Sequence, residues 1–378
     1  MSQNIFLTYR DHSNMHQPLK GLKVISLEQA VAAPFATARM ADAGAEVIKI
    51  ERPEGDFARG YDQAAKGLSS YFVWLNRGKK TLILDLTQEN DRNKLDQELK
   101  TTDIFVQNLR YGVISKFGFN LERLHQVNPR LISCSLNGFS QKGSMADRKA
   151  YDLLIQAETG LASITGSAQD AARVGISIVD IATGSTAYSA CLEALVQRGI
   201  SGKGSKIEVS LFDVMAEWLT VPLLNHEAGN TPHRIGLAHP SIAPYGVFST
   251  KVGPDILIAI QSEREWFNFC ELVLFDKNIA SHRKFSSNIA RVANRAETDQ
   301  LVANVLCKLT SEEAIDKLKK ADIAFALLND MEGLSKHPCL RRINIQTEKG
   351  PVSIPAPPAI FNNTEPLLGS VPSLKNWK

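Results

Sequence analysis

The first half of the chain alternates short apolar, β-rich runs with segments of helical texture. Residues 22–27 (LKVISL) form the first such run. Pro34 then opens a helical stretch, because the missing N–H of proline costs nothing in a first turn. That stretch ends near Gly44, and residues 46–50 (EVIKI) form the next run. The whole unit is ~30 residues, the size of a βαβ crossover. Residues 81–86, 104–107 and 131–136 read as further strands, separated by polar helical segments over 89–100 and 121–127. Strands alternating with helices predict a mostly parallel sheet covered on both faces, a doubly wound α/β domain.

Further along, the apolar run 174–179 is followed by Asp180 and a helical pattern over about 182–197. A loop at 199–205, a strand at 206–211 and a helix from about Asp213 come next. The texture then changes. Residues 225–244 are rich in His, Pro and Gly without a helical period, which marks a domain boundary. Residues 245–261 read as a hairpin around Gly253-Pro254, followed by helices to about Lys320. The C-terminal part, with Pro351, Pro355, Pro357 and Pro358, reads as an extended strap returning over the first domain. The expected division is therefore 1–222 for the large domain, 223–325 for a smaller α+β domain, and 326–378 for the return. A chain of 378 residues at ~150 residues per domain agrees with two compact units.

Composition narrows the function classes. A formal net charge of +3, with no Lys/Arg run interleaved with aromatics, gives no nucleic-acid footprint, so nucleic acid is not an expected partner. The five cysteines are scattered and never spaced C-x-x-C, so neither a disulfide framework nor a zinc site is indicated, and no metal is expected. No apolar stretch reaches the ~18 residues of a spanning helix, so no membrane contact is expected. The first twenty residues carry Arg10, Asp11 and two histidines where a signal peptide would be apolar, and read as a polar arm. A cytoplasmic enzyme with reduced thiols is the expectation.

The first strand–helix junction, residues 28–34 (EQAVAAP), has no G-x-G-x-x-G, so NAD is not expected as a cofactor. Its small side chains leave helix N-terminal N–H groups open to a ligand, although tight strand–helix packing would use the same residues. Arg52 follows the second run, where the carboxyl ends of a parallel sheet form a ligand crevice. Asp180 stands before a helix that includes the small Gly184 and Ser185, and a carboxylate held open to an activated acyl group can act as a covalent nucleophile. Aspartate is equally a favoured N-cap. No histidine pair has metal spacing and no G-x-S-x-G elbow occurs; His239, next to Pro240, reads as a turn residue with a catalytic role as the alternative.

Taken in order, several segments resemble the CaiB/BaiF-type (family III) CoA-transferases. They are 18–53 (PLKGLKVISLEQAVAAPFATARMADAGAEVIKIERP), 55–62 (GDFARGYD), 71–86 (YFVWLNRGKKTLILDL), 103–109 (DIFVQNL), 128–143 (NPRLISCSLNGFSQKG), 150–166 (AYDLLIQAETGLASITG), the Val179-Asp180 junction, 202–213 (GKGSKIEVSLFD) and 239–248 (HPSIAPYGVF). The resemblance implies a Rossmann-like large domain built from both chain ends, a smaller central domain and an interlocked homodimer. It implies coenzyme A as co-substrate, an acyl-CoA donor, a carboxylate acceptor and a covalent aspartyl intermediate on Asp180. By the same resemblance Gln29, Ala30, Val31 and Ala32 line the thioester end. Arg52, Leu84, Asn108, Leu109 and Lys116 match positions that hold the nucleotide part of CoA, and Asn137 and Gly138 fall in a third CoA-contacting loop.

Within this superfamily, 2-methylacyl-CoA racemases use a histidine where this chain has Tyr151, a poor general base at neutral pH. Glu263 resembles a further acidic position of that branch. A non-catalytic acyl-CoA-binding protein is the alternative from another class. The motifs look most like the branch acting on small dicarboxylates such as itaconate, mesaconate or succinate. A distal carboxylate would want a cation, for which Arg59, Arg148, Lys149 and Arg173 are candidates. The chain lacks the glycine run that closes over the intermediate in some family members, leaving the segment near 261–265 as the candidate closing loop.

Overall fold

The computed structural model describes residues 16–375. Most of the expected polar arm lies outside the described residues.

The first unit takes the chain up to Leu161, Val174–Val221 and everything from Arg341 on. Its centre is a sheet of six strands: β1 (Lys23–Leu27), β2 (Glu46–Glu51), β3 (Lys79–Ile83), β4 (Ile104–Gln107), β5 (Ile132–Asn137) and β6 (Lys206–Ser210). Their order is β3-β2-β1-β4-β5-β6 and every pairing is parallel. This is the doubly wound arrangement, whose ligand crevice opens outside the carboxyl ends of the strands where the order reverses, between β1 and β4. Parallel strands must be covered on both faces. On one face, Val24, Val47, Val106 and Ile132 pack with the helices Ala32–Asp42, Ile178–Ser201 and Leu211–Trp218. On the other, Ile25, Ile48 and Phe105 pack with Leu95, Leu99 and Leu124.

Of the boundaries that differ from the sequence reading, two bear on the site. The third strand starts at Lys79 rather than at residue 81, because Lys79 and Thr81 are buried polar residues inside a polar network described below. The helix expected from about 182 starts at Ile178, so Asp180 lies within its first turn and is not its N-cap; Ser177 holds that position without a side-chain cap bond.

The second unit comprises Ala162–Arg173 and Pro222–Leu340. It is therefore longer than the expected 223–325, and the boundary at 325/326 falls inside it. The hairpin β7 (Tyr245–Phe248) and β8 (Ile256–Ala259) gains a third antiparallel strand, β9 (Ala324–Leu327). Trp266, Phe269, Val302, Leu306 and Leu318 fill the core beneath it. Residues 261–265 are the start of helix Glu263–Leu272, fixed by a capping box between Ser262 and Glu265, rather than a loop. Back in the first unit, the expected C-terminal strap contains an antiparallel hairpin of β10 (Arg342–Ile345) and β11 (Val352–Pro355). Among the described residues no helix is long and apolar enough to cross a membrane.

Candidate active site

The setting of Asp180 is built by three elements of the first unit. Its helix, Ile178–Ser201, would begin with orphan N–H groups. Asp152, at the start of the helix Asp152–Glu158, supplies the missing acceptor. Its Oδ2 takes the amide of Val179 at 2.8 Å and that of Asp180 at 3.2 Å. One turn after Asp180, ~6 Å along the axis, Gly184 packs against the loop that opens the helix Ala32–Asp42. A Cβ on Gly184 would lie 2.4 Å from the Ala32 carbonyl oxygen. Burial, then the neighbouring Asp152 charge, push the Asp180 carboxyl up to about 7. The Tyr61 phenol is pushed up to about 12 by desolvation, followed by the charges of Asp56 and Asp180 and by Tyr151 and Tyr71.

Loop 29–32 is held in an unusual shape. Ala30 has φ +62°, a left-handed conformation that costs a non-glycine residue about 1 kcal/mol or more. Two anchors hold it there. Asn108 brackets the Gln29 peptide, accepting its N–H at 2.9 Å and donating to its carbonyl at 2.8 Å. The Asp56 Oδ1 accepts the Ala30 amide at 3.3 Å and the Ala58 amide at 2.9 Å.

Bonded to this loop is a largely buried polar network that sequence reading missed. Lys49, with a fully buried side chain, donates to Asp56 Oδ2 at 2.6 Å and to Asn76 Oδ1 at 3.0 Å. Lys79 donates to Glu28 at 2.6 Å and to the Pro34 carbonyl at 3.1 Å, and Thr37 donates to the other Glu28 oxygen at 2.6 Å. Desolvation drags Lys79 down to about 8 against the pull of Glu28. Glu51 takes two bonds from Arg59, at 2.8 and 2.7 Å, and the amide of Asp56 at 2.9 Å. Burial alone would raise its carboxyl, but the Arg59 bonds and the Lys49 charge hold it below the ordinary value. Every charge here has a partner, as buried charges require.

A cleft of about 540 Å³ opens at the carboxyl ends of β1 to β4. Gln29, Arg52, Leu84 and Leu109 line it, four of the residues expected to hold coenzyme A. Arg52 is half exposed there and donates from Nε to the Gly55 carbonyl at 2.9 Å. Lys116 is exposed on the turn Val113–Lys116, and Val113 and Phe117 of that segment line the same cleft. Asn137 ends β5, is 5% exposed, and neither its amide oxygen nor its nitrogen has a partner among the described residues. A buried amide left this way is costly unless something else bonds it. The neighbouring Gly138 sits against residue 150, since a Cβ there would lie 2.2 Å from the Ala150 Cβ.

The remaining candidates separate by what they already hold. Arg59 is committed to Glu51 and stacked 3.7 Å over Phe72. Arg148 forms a bidentate pair with Glu158 at 3.0 and 3.1 Å. Lys149 is exposed and makes no hydrogen bond or ion pair among the described residues. Tyr151, 64% exposed, is the N-cap residue of the helix that carries Asp152. Glu263 belongs to the second unit, where it pairs with buried Arg291 at 2.6 Å and accepts the Asn288 amide at 2.8 Å. In the same unit Arg295 donates to the carbonyls of His239 and Ile242, fixing the turn at His239. Among the described residues no group of three or more His, Cys, Asp or Glu could hold a metal.

Known proteins resemble this chain over nearly its whole length. The profile of CoA-transferase family III matches residues 19–374. A succinate–glutarate CoA-transferase of Agrobacterium fabrum is 31% identical over 97% of this chain and 94% of its own. An acetyl-CoA:oxalate CoA-transferase of Acetobacter aceti is 34% identical over 90% of this chain and 88% of its own. The crystal structure of a CaiB/BaiF family protein from Brucella suis superimposes with a TM-score of 0.80 at 31% identity, covering 94% of this chain and 96% of that one. With a six-stranded parallel sheet, a cleft at its carboxyl edge and agreement from end to end, the chain belongs to CoA-transferase family III and is an enzyme of that type, using a CoA thioester as co-substrate.

Proposed function

We propose that the enzyme moves CoA from an acyl-CoA donor such as succinyl-CoA to a small dicarboxylate through covalent intermediates on Asp180. The observation that carries this reading is the carboxyl of Asp180, raised to about 7 on a helix start packed against loop 29–32. A carboxylate more basic than usual is a better nucleophile toward a thioester, and half of it is ionised near neutral pH.

In the first step the Asp180 carboxylate attacks the thioester carbonyl and expels CoA thiolate, leaving an acyl-aspartyl anhydride. The thiolate then attacks the Asp180 carbonyl, releasing the donor acid and leaving an aspartyl-CoA thioester. The acceptor carboxylate attacks that thioester, forming a new anhydride and freeing thiolate. Attack of the thiolate on the acceptor carbonyl yields the new acyl-CoA and restores Asp180. Holding the thiolate beside the anhydride makes each return step effectively unimolecular and faster than hydrolysis.

The nucleotide part of CoA occupies the cleft lined by Arg52, Leu84 and Leu109, with Lys116 at its edge. Loop residues Gln29 to Ala32 face the thioester end, and Asn108 acts by bracing Gln29. Asn137 and Gly138 contact the pantetheine arm, which supplies the partner the buried Asn137 amide lacks. Lys149, two residues before Tyr151, is the cation for the distal carboxylate of the acceptor, since Arg59 and Arg148 already hold Glu51 and Glu158 and Arg173, in the second unit, is not free either. The relatives named for glutarate and oxalate support a dicarboxylate acceptor. An interlocked homodimer in the cytoplasm completes the reading.

The test is a panel assay with succinyl-CoA and acetyl-CoA against mono- and dicarboxylates, joined to trapping with hydroxylamine or borohydride and mass spectrometry. Transfer to dicarboxylates with an adduct at residue 180 is the expected result. Transfer that persists in Asp180→Ala defeats the mechanism.

A further inference from the structure

We infer that Asp152 is a positioning residue for Asp180, fixing the nucleophile's backbone with one carboxylate oxygen and keeping a like charge beside its side chain. The inference rests on Asp180 being the nucleophile, and it assigns a task to a residue outside the reacting pair.

The geometry is specific. Asp152 is 9% exposed and sits in the first turn of its own short helix, yet its Oδ2 serves a different helix, 27 residues on. There it accepts from Val179 at 2.8 Å and from Asp180 at 3.2 Å, the job an N-cap side chain would do. Ser177, the local N-cap, does not do it. Asp152 is itself held. Its Oδ1 accepts from Gln156 Nε2 at 2.6 Å, and the Gln156 oxygen accepts the Val174 amide at 2.9 Å. Gln156 is fully buried. Segment 174–180 is thus tied at three amides to one helical turn, 152–156.

The same arrangement sets the ionisation of Asp180. Residue 152 is the one charged group that adds to burial in raising it. The other elements packed nearby bring little opposing charge. The helix Ala32–Asp42 has no titratable side chain before Arg39, which lies over Tyr188. Helix Leu211–Trp218 brings Asp213, bonded to Ser210 Oγ at 2.6 Å. Glu208 of β6 accepts the Gln141 amide. The Tyr61 phenol feels the charge of Asp180 and is itself near Tyr151, and Lys149 precedes Tyr151 on the exposed segment. The design gains a firmly held, basic carboxylate, at the cost of leaving part of it protonated at neutral pH.

Two substitutions separate charge from support. Asp152→Asn keeps an acceptor oxygen and removes the charge; Asp152→Glu keeps the charge and displaces it. Expected for Asp152→Asn is a shift of the acid limb of the kcat/KM–pH profile down by ~1 unit, with donor KM changed less than threefold. Expected for Asp152→Glu is an unmoved limb with kcat lowered about tenfold or more, since the amides of 179 and 180 lose their anchor. An Asp152→Asn profile that superimposes on the wild type, or an Asp152→Glu enzyme with wild-type kcat, overturns the inference. If Asp152→Asn does not fold, the Asp152→Glu result decides alone. Hydroxylamine trapping on the wild-type enzyme runs alongside: absence of an adduct at residue 180 defeats the nucleophile reading, whereas an adduct with unmoved profiles defeats only the role of Asp152.

Discussion

The α-hydrogen face of Gly184 lies directly on the carbonyl oxygen of Ala32, so closely that a Cβ there would come within 2.4 Å of it and within 3.0 Å of Phe35. The obstacle is backbone, which cannot rotate away as a side chain would. Gly184→Ala is therefore expected to force the helix of Asp180 away from loop 29–32. Overpacking of this kind costs about 1–3 kcal/mol. Thermal unfolding should show the loss, and kcat should fall about tenfold or more while the CoA product still binds. A Gly184→Ala enzyme with unchanged Tm and kcat would show that the contact is not tight in solution.

The carboxyl of Asp180, raised to about 7, ties activity and stability to pH in opposite senses. With Asp180 in the nucleophile's role proposed above, the reactive carboxylate is half formed near pH 7, so kcat/KM should climb through pH 7 and level off beyond it. Stability runs the other way. In the unfolded chain the group ionises near its ordinary value of about 4, so between ~4 and ~7 the unfolded state loses its proton first and folding weakens. Asp180→Asn is thus expected to abolish transfer yet raise Tm at pH 8, by one to a few kcal/mol of stability, with no difference at pH 4. Equal Tm values for the two proteins at both pH values would remove the electrostatic account.

Much of the large sheet could be read from its apolar runs because parallel strands are buried on both faces, and residues 22–27, 104–107 and 131–136 carry that texture. β3 was read at 81–86 and its bounds were displaced because its buried residues Lys79 and Thr81 face Glu28 and Glu51 rather than hydrocarbon. The start of the Asp180 helix was hidden for a related reason. Ile178 and Val179 are β-branched and extend an apolar run, and the cap that makes them helical comes from Asp152, far away in sequence. The same holds for the bracing of loop 29–32 by Asn108 and Asp56, where no local spacing signals the bond. Asp180 and Arg52 stood out by their places after apolar runs, Asn137 only through the resemblance, and the residues that surround them lie far away in sequence.

The network below loop 29–32 makes a third expectation. Among the described residues Lys49 is the one cation bonded to Asp56, and Asp56 in turn holds the left-handed Ala30. Lys49→Met leaves Asp56 buried and uncompensated, a change that costs about 3–5 kcal/mol in comparable pairs. The double variant Lys49→Met/Asp56→Asn removes both charges and should recover part of that stability. Activity should not recover with it, because the weaker acceptor at 56 no longer fixes Ala30. Chemical denaturation gives the first quantity and steady-state kinetics the second; full return of kcat in the double variant would show that the loop needs no such anchor.

Acceptor recognition can be assigned between Lys149 and Arg59 by the same logic of commitment. The Arg59 guanidinium makes two bonds to Glu51 and lies over Phe72, so Arg59→Lys breaks a fork geometry that an ammonium cannot reproduce. Its expected signature is a loss of about 1–3 kcal/mol in stability, with acceptor KM little altered. Lys149 has no such ties among the described residues, so Lys149→Ala should leave Tm within a degree or two and raise the KM for a dicarboxylate acceptor about tenfold, the value of one charge-assisted bond. A monocarboxylate acceptor of the same length has no distal charge to lose, and its KM should not move. The reverse pattern, with Arg59→Lys raising dicarboxylate KM at constant Tm and Lys149→Ala silent, would assign the distal carboxylate to Arg59 and require Glu51 to release it when substrate binds.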